Sequence, residues 1–167
     1  MSSNYNLPQT PTTFLRTITI IHLALAAGQV LFGIVVLSLN KRIIINVRDT
    51  RDPLVYAVPA LAIICFVLSG FLYKKVLSGG IRPDSTLKGK LMMYQTALII
   101  RLALLEGPSL FGIVAFFLTG SLFFLLISLV LIGYFIYIRP TKDNIEETLE
   151  LTYAEKETFN RRDEYLQ

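Results

Sequence analysis

The chain has 167 residues, 53% of them apolar and 17% charged, with a formal net charge of +4. A soluble domain carries about 25% charged residues, and here the charges cluster at the ends of long apolar runs, which excludes an ordinary soluble core. One domain fits the length, and the single cysteine, Cys65, excludes a disulfide framework or a cysteine metal site within one chain. Inside its apolar run it reads as a small buried hydrophobe.

The net charge is divided. Residues 1–141 hold twelve Lys/Arg against four Asp/Glu, whereas residues 142–167 hold four against eight. The basic residues flank apolar runs, so the positive-inside bias of membrane proteins accounts for them and no nucleic-acid partner is implied.

In chain order, residues 1–13 read as a polar leader containing Pro8 and Pro11. The run that follows is too long for a cleaved signal peptide and lacks a small-residue cleavage site. The first span is expected over 14–39, long enough to cross about 30 Å of hydrocarbon as a helix. A polar loop follows, in which Ile43-Ile44-Ile45 is too short to span and suits a short strand or an interfacial contact. Pro53 suits a first helical turn and opens a second span over 54–73, with Pro59 inside it as a candidate kink.

The segment Ser78–Ser85 is dense in turn residues. A third span is expected over 91–118, longer than a bilayer requires, then a minimal turn at Thr119-Gly120-Ser121 and a fourth span over 122–138. Residues 142–167 read as an acidic helical tail, with capping boxes at Asp143/Glu146 and Thr152/Glu155. Its apolar positions Ile145, Leu149, Phe159 and Tyr165 are too sparse for a core of their own. It reads as a solvated segment or as one that docks on a partner protein, and its acidity argues against anionic lipid.

The fold class is therefore all-α: a membrane bundle of four transmembrane helices, residues 14–141, with an amphipathic tail. Eight Lys/Arg lie on the side of the termini and four on the other. This favours both termini in the cytoplasm, and the expected setting is a bacterial inner membrane.

The first and third spans repeat. Residues 20–35 align with 99–114 at a constant offset of 79, most of the sixteen positions are identical, and Leu-Phe-Gly-Ile-Val recurs whole. The second and fourth spans share Val-Leu-x-Gly at 67–70 and 130–133. A duplicated helical hairpin with a pseudo-twofold axis along the membrane normal is the expected arrangement. Ala24, Gly28, Gly33 and their counterparts Ala103, Gly107, Gly112 are read as packing positions, because small residues let helices approach closely in lipid.

Polar residues inside the apolar runs are the candidate functional residues. Arg101 and its counterpart His22 sit toward the expected cytoplasmic end; Arg101 can snorkel to headgroups, and His22 reads as a neutral hydrogen-bonded histidine. With no second histidine a metal site is not expected. Glu106 lies about 7.5 Å deeper than Arg101 at 1.5 Å per residue, and about 140° around the helix from it, so the two pair poorly. A charge at a helix centre costs about 2.5–3.5 kcal/mol on insertion scales, so the carboxyl should be paired or protonated. His22 and Gln29, seven apart on one face, are its expected partners across the repeat. Pro108 leaves the Leu104 carbonyl without its helical donor beside that carboxyl.

The pattern Glu106-x-x-x-x-Phe111-Gly112-Ile113-Val114-Ala115 resembles the carboxylate helix of the proteolipid (c) subunits of rotary ATPases. There a glutamate is followed five and six residues later by an aromatic and a glycine. The duplicate with one carboxylate, Ala27 standing at the equivalent of Glu106, is similar to the doubled vacuolar-type proteolipid. The resemblance covers ten residues and implies an ion-binding role for Glu106. The chain departs from the family in lacking a glycine-repeat helix, in placing the motif on the first helix of the hairpin, and in its acidic tail.

No nucleophile–base pair, metal cluster or phosphate loop is present, so neither an enzyme nor a cofactor is expected. The reading is an accessory or scaffolding subunit of a membrane complex, in contact with the bilayer and with other subunits or itself. The alternative is a proton- or cation-binding subunit or small transporter using Glu106.

Overall fold

The computed structural model describes residues 10–40, 43–44, 52–80 and 85–161. Among the described residues six helices follow one another: α1 (Pro11–Leu39), α2 (Leu54–Gly80), α3 (Leu87–Thr119), α4 (Leu122–Tyr137), α5 (Lys142–Thr148) and α6 (Tyr153–Asn160). Three of them, α1, α2 and α3, are long and apolar enough to cross a membrane, which fits an integral membrane protein. Less than half of each apolar window is buried inside the bundle. Large side chains such as Leu31, Ile63, Val67 and Val130 point outward, as lipid-facing residues do.

Local chemistry sets the boundaries. Thr10 caps α1 by accepting a hydrogen bond from the Thr13 N–H at 3.2 Å, and Pro11 occupies the first turn, where its missing N–H costs nothing. The helix therefore begins inside the expected leader. Thr86 caps α3 through the Gly89 N–H. The Ser78-Gly79-Gly80 part of the expected turn is still α2, and residues 81–84 lie outside the described residues. Gly120 ends α3 in the left-handed conformation, φ 74°, which only glycine adopts without strain. Its carbonyl accepts from the Ile44 N–H at 2.8 Å, and the Ile44 carbonyl accepts from the Leu122 N–H at 3.0 Å. Ile44 thus makes a single parallel bridge with Ser121, tying the first loop to the α3–α4 turn.

α3 is the central helix. It packs against α2, α4 and α1, while α1 and α2 are not among the packed pairs. The α3–α4 hairpin is closed and its sequence counterpart α1–α2 is open, so a strict twofold relation between the hairpins is not seen. Pro59 and Pro108 are both accommodated within unbroken helices.

α2 and α3 run beyond their expected cytoplasmic ends, 73 and 91, to Gly80 and back to Leu87. The 33-residue α3 is about 50 Å long at 1.5 Å per residue, well over the hydrocarbon thickness. The tail uses that extension. Ile145, Leu149, Leu151 and Phe159 are buried in one cluster with Leu77, Leu87, Leu91 and Tyr94, and Lys90 donates to Glu155 at 2.6 Å. The tail docks on its own bundle and is not simply a solvated segment. The Thr152/Glu155 capping box forms, but the Asp143/Glu146 box does not. Thr141 is the cap of α5 and receives the Asn144 N–H, which places Asp143 already inside the helix. Tyr165 lies outside the described residues.

Candidate functional site

Arg101 lies fourteen residues into α3, where the helix enters the apolar part of the bundle. Its Nη2 donates to the Tyr134 hydroxyl at 2.6 Å. The guanidinium lies 4.8 Å from the centre of the Tyr73 ring and 5.8 Å from that of Tyr134, within range of cation–π attraction. Its Nε–H is buried and makes no hydrogen bond. The ion pairs among the described residues are Lys90–Glu155 and Arg161–Glu157, so no carboxylate there neutralises Arg101.

A cavity of about 470 Å³ opens beside this guanidinium, lined further by Tyr94, Tyr137, Arg139 and Asn144. The Tyr73 and Tyr94 rings meet edge-on at 6.4 Å. Tyrosines at one level of a bundle are the usual signature of a membrane interface, with the ring in the apolar region and the hydroxyl in the polar one. Position within an apolar run singles out Arg101 in the sequence but not the tyrosines that surround it. The available signal was that Tyr73, Tyr134 and Tyr137 all stand at the ends of apolar runs.

His22 is buried, 2% exposed. Its Nε2 lies 2.9 Å from the Phe135 carbonyl, which can only accept, so Nε2 carries the proton. The ring also stacks on Phe135 at 5.0 Å. Gln29 is buried as well; its Nε2 donates to the Leu25 carbonyl at 3.4 Å, and its Oε1 has no partner.

Glu106 joins neither of them. α3 turns Leu102, Leu105, Pro108, Ser109 and Gly112 inward, which leaves Glu106 on a half-exposed flank with no hydrogen bond or ion pair among the described residues. The expected meeting with His22 and Gln29 fails for that reason: both of those side chains face into the bundle. Arg101 does not reach Glu106 either, as the 140° separation required.

The small residues divide. Gly112 packs tightly on α4: a Cβ there would meet the Ser128 side chain and come within 3.1 Å of the Phe124 carbonyl. Ser128 donates to the Ser109 carbonyl at 2.9 Å, further locking α4 onto α3. Gly33 sits in ordinary contact with Ile113, 3.7 Å from a built Cβ. Gly28 and Gly107 have nothing within 4 Å of theirs, and Ala24 and Ala103 are exposed. No group of three or more His, Cys, Asp or Glu suited to a metal forms among the described residues.

No family model, curated protein or solved structure matches the chain.

Proposed function

We propose that this is a non-enzymatic integral membrane subunit that works by assembling, with itself or with other membrane proteins, through the outer face of α3. The observation that carries the reading is Glu106, a half-exposed carboxyl with no partner, flanked on its own helix face by exposed Ala103 and Gly107. A carboxyl facing lipid is costly, and small residues beside it let a second helix come close enough to supply a hydrogen bond. α1 offers the matching face Ala24, Ala27 and Gly28 without a carboxylate.

The bundle is read as four spans. The Arg101–tyrosine level and the Gly120–Ile44 level bound a slab that α4 also fills, although its 16 residues cover only about 24 Å. The slab would seat α4 as a short span between two belts. The duplicated sequence supports descent from one hairpin, with the first hairpin since opened. The Lys/Arg bias supports both termini in the cytoplasm of a bacterial-type inner membrane.

Purification in a mild non-ionic detergent followed by native mass measurement tests the assembly reading. The expected result is a species larger than one 18.8 kDa chain, lost in Gly107→Leu, which adds bulk to the face without touching the core. A monomer in the parent protein, or an unchanged assembly in Gly107→Leu, overturns it.

A second reading, an ion-binding role for Glu106, is favoured by the Leu104 carbonyl that Pro108 deprives of its helical donor. Proton or sodium flux into liposomes should fall in Glu106→Gln. Equal flux in both proteins removes this reading.

A further inference from the structure

The Arg101 cavity does not stand alone. Tyr134 forms its wall and packs on Phe66 at 4.9 Å between ring centres. On the other side of Phe66, an apolar groove of about 340 Å³ runs between α2 and α4, lined by residues such as Ala62, Ile63, Leu126 and Val130. The two helices run in the same direction here and both reach the tyrosine level in their C-terminal halves, so the groove leads into the bundle from the cavity. One end is cationic and rich in hydroxyl and guanidinium donors. The other is wholly apolar and opens outward.

We propose that cavity and groove form one binding site for an anionic phospholipid, whose phosphate is held by Arg101 and Arg139 and one of whose acyl chains lies between α2 and α4.

Three observations carry it. The Arg101 Nε–H is buried and unpaired, and a buried donor is costly unless something accepts from it. No carboxylate among the described residues balances that charge, whereas the exposed Arg139 lines the same cavity and doubles it. A phosphodiester supplies acceptors and negative charge together, and arginine's planar fork suits it. The Tyr73 and Tyr134 rings and the span-end position of the cavity place it at headgroup depth, where lipid is the abundant source of phosphate. A zwitterionic lipid would bring its own cation up against two guanidinium groups, which discriminates between headgroups. α5 contributes Asn144, and the segment before it Thr141, to the cavity wall, so the docked tail closes the side away from lipid. The site shares no residue with the Glu106 face, and its test stands independently of that reading.

Native mass spectrometry of the full chain in non-ionic detergent reads binding of dioleoyl phosphatidylglycerol, dioleoyl phosphatidylcholine and inorganic phosphate. Phosphatidylglycerol is expected to bind at least about tenfold more tightly than phosphatidylcholine, the scale of the like-charge repulsion that a choline ammonium meets beside a guanidinium. Arg101→Gln should abolish that preference by weakening phosphatidylglycerol more than phosphatidylcholine. Arg139→Gln, at an exposed position outside the packed core, should reduce the preference in the same direction and serves as the readout if Arg101→Gln does not fold. Val130→Trp, which fills the groove from an exposed position, should weaken phosphatidylglycerol while both arginines remain. Equal binding of the two lipids overturns the proposal, as does an undiminished preference in Arg139→Gln. Full displacement of phosphatidylglycerol by inorganic phosphate, or an indifferent Val130→Trp, overturns the acyl-chain half and reduces the site to one for a free anion.

Discussion

Glycines that the sequence presents as equivalent behave differently once the helices are packed. Gly107 and Gly112 both have a repeat partner, so the repeat assigns them one role. Five residues apart on α3, they point about 140° away from each other, and α4 lies on one of the two sides only: Gly112 faces the Ser128 side chain and the Phe124 carbonyl, and Gly107 faces open space. Gly112→Ala should therefore push α4 off α3 and cost about 1–3 kcal/mol, the usual penalty of overpacking a tight contact. Gly107→Ala should stay within about 0.5 kcal/mol of the parent, as an exposed substitution does. Unfolding in mixed micelles measures both, and equal effects would mean that α3 and α4 pack otherwise. Candidate polar residues were legible in the same partial way. Their depth along the chain is visible in sequence, so Arg101, Glu106, His22 and Gln29 could be named. Which way each side chain faces depends on neighbours the repeat does not specify, and that direction separated Glu106 from its expected partners.

Among the elements, the tail departs furthest from its sequence reading. Ile145, Leu149, Phe159 and Tyr165 look too few in sequence to form a core. Among the described residues, Ile145, Leu149 and Phe159, joined by Leu151, are buried because α2 and α3 continue past the apolar region and present Leu77, Leu87 and Leu91 to them. Removing the largest contact, Phe159→Ala, forfeits about 3–5 kcal/mol, and α5–α6 should then lose hydrogen-exchange protection while the spans keep theirs. A milder change works in the opposite direction. α5 ends with Glu150 at φ 47°, its N–H bonded to the Glu147 carbonyl and that of Leu151 to Glu146. This is a Schellman ending whose left-handed position glycine prefers. Glu150→Gly should relieve about 1 kcal/mol of strain and raise protection of the tail. The docking also depends on pH. Burial pushes the Glu155 carboxyl up, but hydrogen bonds from Lys90 and Thr152 outweigh it and hold the group below its ordinary value. A carboxylate depressed in the folded state contributes fully above its unfolded pKa, about 4.3, and loses that contribution as pH falls through its folded value. Protection of α6 should thus weaken below about pH 4 in the parent, and Glu155→Gln should remove that dependence.

At the scale of the whole molecule, hydropathy placed an apolar run in each of α1 to α4, because a bilayer demands a minimum length and disfavours charge. It could not decide how many of them cross. α4 is 16 residues long and is followed after a sharp bend of 81° by α5, a geometry shared by a short final span and by a re-entrant segment. The docked tail lies at the α2–α3 end of the bundle and Ile44 at the α3–α4 end. If α4 crosses, Ile43 after α1 and Asn160 in α6 lie across the membrane from one another; a re-entrant α4 returns the chain to the Ile43 side and requires the tail to leave the α2–α3 end. Both positions are exposed, and Cys65→Ser leaves the chain without other thiols. In that background, Asn160→Cys and Ile43→Cys can be challenged with a membrane-impermeant maleimide in intact cells and in inverted vesicles. Asn160→Cys should label only in inverted vesicles and Ile43→Cys only in cells, since the Lys/Arg-rich ends of α2 and α4 favour the cytoplasm. Labelling of both from one side would make α4 a re-entrant helix. A reversed pattern would keep four spans but turn the protein over, placing Arg101 and its cavity at the outer leaflet.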